Sequence, residues 1–377
     1  MNNKRAGRKS RTHSRRHKPP LYAAVDLGTN NCRLLVAKPA GEHFHVVDSH
    51  SQIVRLGEGL SATGRLSDAA MERTFDALGT IRAKLKHLGV RHIRCIATEA
   101  CRKAENGADF IREVQHRTKL SFKIVSAKEE ARLAAIGCHD LLEPDAQLVM
   151  VLDIGGGSTE VAFIDLSGQA ERDIKTLVNT MPITAWSSFP LGVVTLTESF
   201  ALEAAEDRFS AMHEKARATF AAWPAGKQFA ERLTDDSAYM IGTSGTVTCL
   251  AGIRLGLQKY RRDRVDGQWL TQTQTQETIR DFTNATPEER ASIPTVGADR
   301  AALMLAGCAI LEAAFAEWPS SRLRVADRGL REGLLLSMMH SNRKPKRRRK
   351  RKPSSTAEQP VSGQTQNPQL DNGANAP

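Results

Sequence analysis

Short apolar runs ending in an acid and a glycine alternate with longer stretches where apolar residues recur at helical spacing. The first run, Val25-Asp26-Leu27-Gly28-Thr29-Asn30-Asn31, leads straight into Cys32-Arg33-Leu34-Leu35-Val36, a strand, a turn and a second strand. Strand-like Phe44-His45-Val46-Val47 and Ile53-Val54-Arg55-Leu56 follow. A helix then opens at Ser67 as N-cap with Asp68 in its first turn. Met71, Phe75, Leu78, Ile81, Leu85 and Leu88 keep its period to Gly89. Strand Ile93–Ala97, a helix through Phe110 and strand Phe122–Val125 complete a first unit. Three strands followed by alternating helices and strands predict a mixed sheet flanked by helices. A second unit opens with a helix from Ala127 and a strand over Leu148–Asp153. Leu191-Gly192-Val193-Val194 leads into one long helical stretch, roughly 195 to 222. Helices follow through Val247, Glu277 and Ala301, and a last one lies near Leu330–Leu336.

The second unit repeats the opening design at Leu152-Asp153-Ile154-Gly155-Gly156-Gly157-Ser158-Thr159, which runs into Glu160-Val161-Ala162-Phe163. A lone Asp-x-Gly turn is common in ordinary hairpins. Three consecutive glycines followed by Ser-Thr exceed what a hairpin needs. Glycine leaves no Cβ in the way and adopts the φ values of an anion-binding nest, so two such turns predict a phosphate clamp. A third turn, Gly242-Thr243-Ser244-Gly245-Thr246, follows the apolar run Ala238–Ile241 and opens a helix, the order that aims a helix N-terminus at phosphate. Neither a P-loop nor a dinucleotide-binding glycine fingerprint is present.

Charge separates the ends from the body. The net charge is +12, but the first twenty residues contribute +8 and the segment from Ser341 onward +7, which leaves the body near −3. Both ends lack an apolar period and are expected to be disordered basic tails able to hold RNA or another polyanion non-specifically by counterion release. Arg15-Arg16 is not expected to be an export signal, because Pro19-Pro20 follow and Asp26 interrupts the apolar run from Leu21. The longest uncharged apolar segment, Ala301–Leu311, is too short for the roughly 20 residues of a membrane span. The six Cys show no Cys-x-x-Cys and no Cys/His cluster, which reads as buried free thiols in a reducing cytoplasm.

Candidate chemistry gathers near Ser126-Ala127-Lys128-Glu129-Glu130-Ala131-Arg132. Ser126 and Glu129 fit a capping box. Glu130 has no such explanation: the helix dipole favours any first-turn acid, and a carboxylate at the mouth of a cleft between the two units is also placed to act as general base for water. Arg33 and Arg102 can each fork onto phosphate oxygens, or serve as ordinary salt-bridge arginines. Arg33 and Glu160 each stand seven residues after the Asp of their hairpin. One half thus offers a cation and the other an acid, an asymmetry suited to a site holding both phosphate and metal.

With these motifs in view, the chain resembles the exopolyphosphatase/guanosine pentaphosphate phosphohydrolase family of the actin, sugar-kinase and chaperone superfamily. The match runs from about Tyr22 to Met339 through Asp26–Asn30, Ser126–Leu133, Asp153–Glu160, Gly242–Thr246 and Gly329-Leu330-Arg331-Glu332-Gly333. The resemblance implies an α/β fold of actin-like, sugar-kinase-like type, ribonuclease H-like and duplicated about an interdomain cleft. Its catalytic Glu maps to Glu130, its phosphate-binding turns to Gly28, Thr29 and Asn30 and to Gly155, Gly156, Gly157 and Ser158, and its Arg to Arg33. The chain departs from many members at Asn31, where they have Ser, and it carries a basic tail where longer relatives have another helical domain.

The division expected is a tail over 1–20, domains over 21–128 and 129–340 with the last helix packing back on the first, and a tail over 341–377. The activity expected is hydrolysis of a terminal phosphoanhydride bond. Glu130 is the base; Arg33, Arg102 and the turns, including Gly242, Ser244 and Gly245, receive phosphate; and Mg2+ is held by Asp153 and Glu160, with Asp26 a third candidate. The expected partners are polyphosphate or guanosine pentaphosphate and a second copy in a homodimer, with no membrane. A small-molecule kinase of the same superfamily and a non-enzymatic polyanion-binding protein are the rival readings.

Overall fold

Two sheets with the same wiring carry the chain. The computed structural model describes residues 19–169 and 172–341, so the expected tails lie outside the described residues apart from Pro19, Pro20 and Ser341. The first sheet contains β1 (Tyr22–Leu27), β2 (Asn31–Ala40), β3 (His43–Ile53), β4 (His92–Ala97) and β5 (Phe122–Ile124) in the order β3-β2-β1-β4-β5. The second contains β6 (Leu148–Ile154), β7 (Thr159–Asp165), β8 (Ile183–Phe189), β9 (Ala238–Thr243), β10 (Trp269–Thr271) and β11 (Arg322–Ala326) in the order β10-β11-β9-β6-β7-β8. In each, three antiparallel strands precede strands added in parallel on the far side of the first: β1 pairs β2 antiparallel and β4 parallel, as β6 pairs β7 and β9. The mixed-sheet, duplicated α/β architecture is the expected one, with β10 as an addition to the second copy.

The central strands Ala23–Leu27 and Leu148–Leu152 are buried, because helices cover both faces of each sheet. Around the second sheet the core includes Phe163, Phe189, Phe220, Phe229 and Trp318, with the Ala298–Glu317 helix seated among them and buried along most of its length. The Ala127–Gly137 helix joins the two halves. Its Leu133 packs with Ala24, Leu35 and Leu335, while its Ala135 packs with Val149, Val151 and Ile241. The Leu330–His340 helix crosses it at backbone contact, since a Cβ at Gly333 would lie 1.9 Å from the Leu133 carbonyl oxygen and one at Gly137 1.9 Å from that of Gly329.

Several elements differ from the sequence pattern. The short strand expected over 44–47 is part of the longer β3, which continues through the polar run Asp48-Ser49-His50-Ser51-Gln52 to Ile53, whereas Val54, Arg55 and Leu56 of the strand expected over 53–56 lie in the loop after it. As an edge strand β3 needs only backbone pairing to β2, so polarity does not end it. The long helix expected over 195–222 is two helices, Val193–Ser199 and Arg208–Ala221. The intervening Ala201–Glu206 run has helix-forming composition but turns instead, with Leu202 fully exposed, so that each helix can lay its own apolar residues on the Ala298–Glu317 helix. Strands β8 and β10 carried no distinct pattern, being interrupted by Ser187-Ser188 or short, and in β11 Arg322 and Arg324 break the apolar run. All six Cys are free and buried, and no described helix is long and apolar enough to cross a membrane.

Candidate active site

The duplicated hairpins place their acids and turns at matching points. Asp26 sits opposite Arg33 across β1 and β2, and Asp153 opposite Glu160 across β6 and β7. Each turn is closed by one bond between equivalent residues: Gly28 N–H donates to Asn31 O at 2.9 Å and Gly155 N–H to Ser158 O at 2.9 Å. The segment after the third strand of each half then wraps the turn. Val54 and Arg55 N–H donate to Asn30 O, and Val193 and Val194 N–H donate to Gly155 and Gly156 O. The carbonyls of Asn30, Gly155 and Gly156 are thereby occupied. Among the described residues, the N–H groups of Thr29, Asn30, Gly156 and Gly157 donate to no protein acceptor.

The two turns meet. A Cβ at Gly156 would lie 3.0 Å from Thr29 Cβ and 3.3 Å from Asn30 N, and one at Gly157 would lie 2.7 Å from Thr29 Oγ1. None of Gly28, Gly155, Gly156 or Gly157 has the left-handed φ of a nest. The glycines serve close approach between the two hairpins rather than unusual dihedrals, a correction to the nest geometry expected from composition.

Between the turns lies a cavity of about 410 Å³. Asp26, Gly28, Thr29, Asn30, Arg33, Glu130, Asp153, Gly155–Ser158, Ser244 and Gly245 all line it. Gly242, Arg102 and Glu160 do not. Gly242 is packed in β9 against Val247 and Leu323. Arg102 stands behind Glu130, donating to Glu130 Oε2 at 3.0 Å and Val125 O at 2.8 Å and pairing with Glu99. Glu160 is buried beside the cavity, its Oε1 accepting from Ser158 Oγ and Ser188 Oγ, each at 2.7 Å. The capping box at Ser126 is half made. Ser126 Oγ accepts from Glu129 N at 3.3 Å, but the Glu129 carboxylate grips Arg132 at 2.8 and 3.0 Å instead of returning to Ser126.

The cavity is acidic on one side and cationic on the other. Burial, reinforced by the charge of Glu160, pushes Glu130 well above the usual carboxylate range despite Arg102. Burial and Glu160 likewise push Asp153 up to about 8. Asp26 is raised by burial against the opposing charges of Arg33 and Arg331, and its Oδ1 has no hydrogen-bond partner. Arg33, Arg300 and Arg331 line the same space, and among the described residues none of the three is in an ion pair. Unmatched guanidinium groups and free N–H groups suit several phosphate oxygens at once, while crowded buried carboxylates suit a cation.

The sequence reading missed the contribution of β11 and the loop after it. Tyr260, Asp327, Arg328, Arg331 and Glu332 all line the cavity. Tyr260 Oη donates to Asp327 Oδ2 at 2.6 Å, and Glu332 accepts from Gly329 N at 3.0 Å and Arg262 Nη2 at 3.1 Å. A signal was present: the apolar Val325-Ala326 followed by Asp327-Arg328-Gly329 is a third strand-Asp-x-Gly pattern.

A family model described as the Ppx/GppA phosphatase family matches residues 35–342. A guanosine-5'-triphosphate,3'-diphosphate pyrophosphatase of Aeromonas salmonicida is 30% identical over 333 residues, covering 86% of this chain and 61% of that relative. The protein of the same description from Aeromonas hydrophila is 29% identical over the same span. The chain thus spans 61% of the length of these curated relatives. The crystal structure of the Aquifex aeolicus Ppx/GppA family member aligns with a TM-score of 0.68 at 26% identity, over 86% of this chain and 99% of that one. An exopolyphosphatase from Cytophaga hutchinsonii shares the fold with a TM-score of 0.73 at 22% identity, over 85% and 97% of the two chains.

Proposed function

The chain belongs to the Ppx/GppA phosphatase family, and from that membership together with the cavity we propose that it hydrolyses the terminal phosphoanhydride bond of inorganic polyphosphate or guanosine pentaphosphate. The observation that carries this reading is the pairing of a buried, proton-seeking Glu130 with two facing turns whose N–H groups are unclaimed. The turn N–H groups of Thr29, Asn30, Gly156 and Gly157 receive the oxygens of the terminal phosphoryl group, and Arg33 and Arg331 balance charge on the phosphates behind it. Glu130, held by Arg102 Nη1, orients a water and accepts its proton as the water oxygen bonds to the end phosphorus. The bridging P–O bond breaks and its electron pair leaves with the shortened phosphate chain.

The donor set also fits Mg2+. Asp26 offers a buried, unpartnered Oδ1, Asp153 is short of neutralising charge, and Glu160 stands behind them with Oε1 already taken by two serines. Bound by these carboxylates, Mg2+ supplies charge neutralisation for phosphate oxygens and keeps part of its water shell. Cytoplasmic location and a homodimer remain part of this reading.

The test is phosphate release by the purified full-length chain from polyphosphate and from guanosine pentaphosphate, side by side, with Mg2+ and with excess chelator. Release from at least one substrate, stopped by chelation, is the expected result. Release undiminished by chelator removes the metal from the scheme. Silence on both substrates, with ATP-dependent phosphorylation of a small acceptor, moves the chain to the kinase reading.

A further inference from the structure

Away from the cavity's acids, two histidines and a carboxylate from different parts of the chain converge. His43 is the first residue of β3, while His139 and Asp140 open the short 3-10 turn His139–Leu141 that follows the Ala127–Gly137 helix. One ligand atom from each of the three lies within 4.8 Å of the other two. His43 Nδ1 is 3.2 Å and His139 Nε2 2.8 Å from the same atom, Asp140 Oδ1. The two rings lie nearly parallel, 6.1 Å apart between centroids.

The tautomer of His139 makes this arrangement informative. Its Nδ1 faces the Ile136 carbonyl oxygen at 3.1 Å, and because a carbonyl only accepts, that nitrogen carries the proton. In the neutral ring Nε2 is then a lone pair aimed at a carboxylate oxygen. That nitrogen makes no aligned hydrogen bond, and its side chain is only 9% exposed. Two electron-rich atoms held so close need a cation between them, either a proton that turns the ring into an imidazolium or a metal ion, and the partly exposed Asp140 and exposed His43 leave the spot open to an ion from solvent. Asp140 is also fixed from behind, since Arg328 Nη1 donates to its other oxygen, Oδ2, at 2.7 Å, and Asp266 neutralises Arg328 in turn. This is the outer-shell support that ligating carboxylates receive in metal sites.

We propose that His43, His139 and Asp140 form a second metal site, distinct from the carboxylates of the catalytic cavity, that takes a divalent transition metal of the zinc class. Two imidazoles and one carboxylate oxygen favour Zn2+ or Co2+ over Mg2+, which prefers all-oxygen surroundings. Three protein ligands beside the exposed ring of His43 leave the fourth tetrahedral position to water. Such a metal ties the start of β3 in the first sheet to the end of the helix leading into the second.

The experiment titrates the full-length chain with Co2+, read by its visible ligand-field spectrum, and with Zn2+ as competitor, in excess Mg2+ to fill oxygen-only sites. The wild-type chain is expected to take one Co2+ with a histidine-type tetrahedral spectrum, displaced by Zn2+. His43→Ala, at an exposed side chain, is expected to weaken binding roughly tenfold or more, and His139→Ala to remove it. Mg2+-dependent phosphate release by His43→Ala is expected to persist, which separates this site from the proposed catalytic one. Equal Co2+ affinity in the wild-type and His43→Ala chains overturns the proposal, as does a wild-type chain that shows no tetrahedral Co2+ spectrum.

Discussion

Glu129 and Glu130 are adjacent acids with opposite fates. Burial raises both, but for Glu129 the bonds and charge of Arg132 outweigh it and hold the carboxyl below its ordinary value. For Glu130, burial and the nearby Glu160 prevail over Arg102. Glu130→Gln keeps the shape and loses the proton acceptor, so kcat is expected to fall by about 10²–10⁴ with folding intact. Glu129→Gln is expected to stay near wild type, and comparable damage from it in a phosphate-release assay would mean the base had been placed on the wrong residue. The direction of the pKa shift also sets a pH profile. As the proposed base Glu130 has to be ionised, so kcat/KM is expected to be present above its pKa and lost as pH falls through it, with the acid limb above the usual carboxylate range. Arg102 favours the ionised form. Arg102→Gln should therefore move that limb to higher pH, and a limb that moves down or stays fixed in the measured profile contradicts the assignment. Adjacency in sequence singled out this pair, because a cap explained one acid and left the other. It did not show Arg102 turned onto Glu130, a contact between residues separated in sequence by the Gly107–Thr118 helix and β5.

Where the Ala127–Gly137 and Leu330–His340 helices cross, glycine is set by the neighbour rather than by the helix. In an open helix interior, Gly→Ala stabilises by about 0.5–1 kcal/mol. Gly79 is such a case, with nothing within 4 Å of its would-be Cβ, and Gly79→Ala is expected to raise stability by that amount. Gly333→Ala instead drives a methyl into the Leu133 carbonyl and must push the helices apart, a destabilisation of roughly 1–3 kcal/mol. Denaturant midpoints of the two variants check this, and shifts of the same sign would show that the crossing is loose. Elements with strong local signals were legible: Ser67 accepts from Ala70 N as an N-cap, and the helix it opens runs Asp68–His87. The single helix expected over 195–222 failed because propensity is local, whereas the break at Phe200–Asp207 answers to the direction in which each half packs.

Charge is divided between a body near −3 and two ends of +8 and +7. Deleting residues 1–18 and 342–377 is therefore expected to weaken binding of long polyphosphate or RNA and to flatten its salt dependence, the slope falling by roughly one for each phosphate that the ends neutralise. Hydrolysis of guanosine pentaphosphate should barely change, since every residue assigned to the chemistry lies between Asp26 and Glu332. Activity that drops as steeply as polymer binding in the truncated chain would place the ends within the site. That division of charge, the duplicated Asp-x-Gly hairpins and the kinship they reveal were all readable along the chain, because each is carried by neighbouring residues or by a repeat. Folding alone decided that Gly156 and Gly157 seat against Thr29 and Asn30, that Ser188 from an unforeseen strand holds Glu160, and that Asp327 to Glu332 close the cavity from the far end of the chain. The convergence of His43 with His139 and Asp140 belongs with these. Periodicity reports which face of an element is buried, but contacts between distant segments depend on how whole sheets and helices pack, and that leaves no local trace.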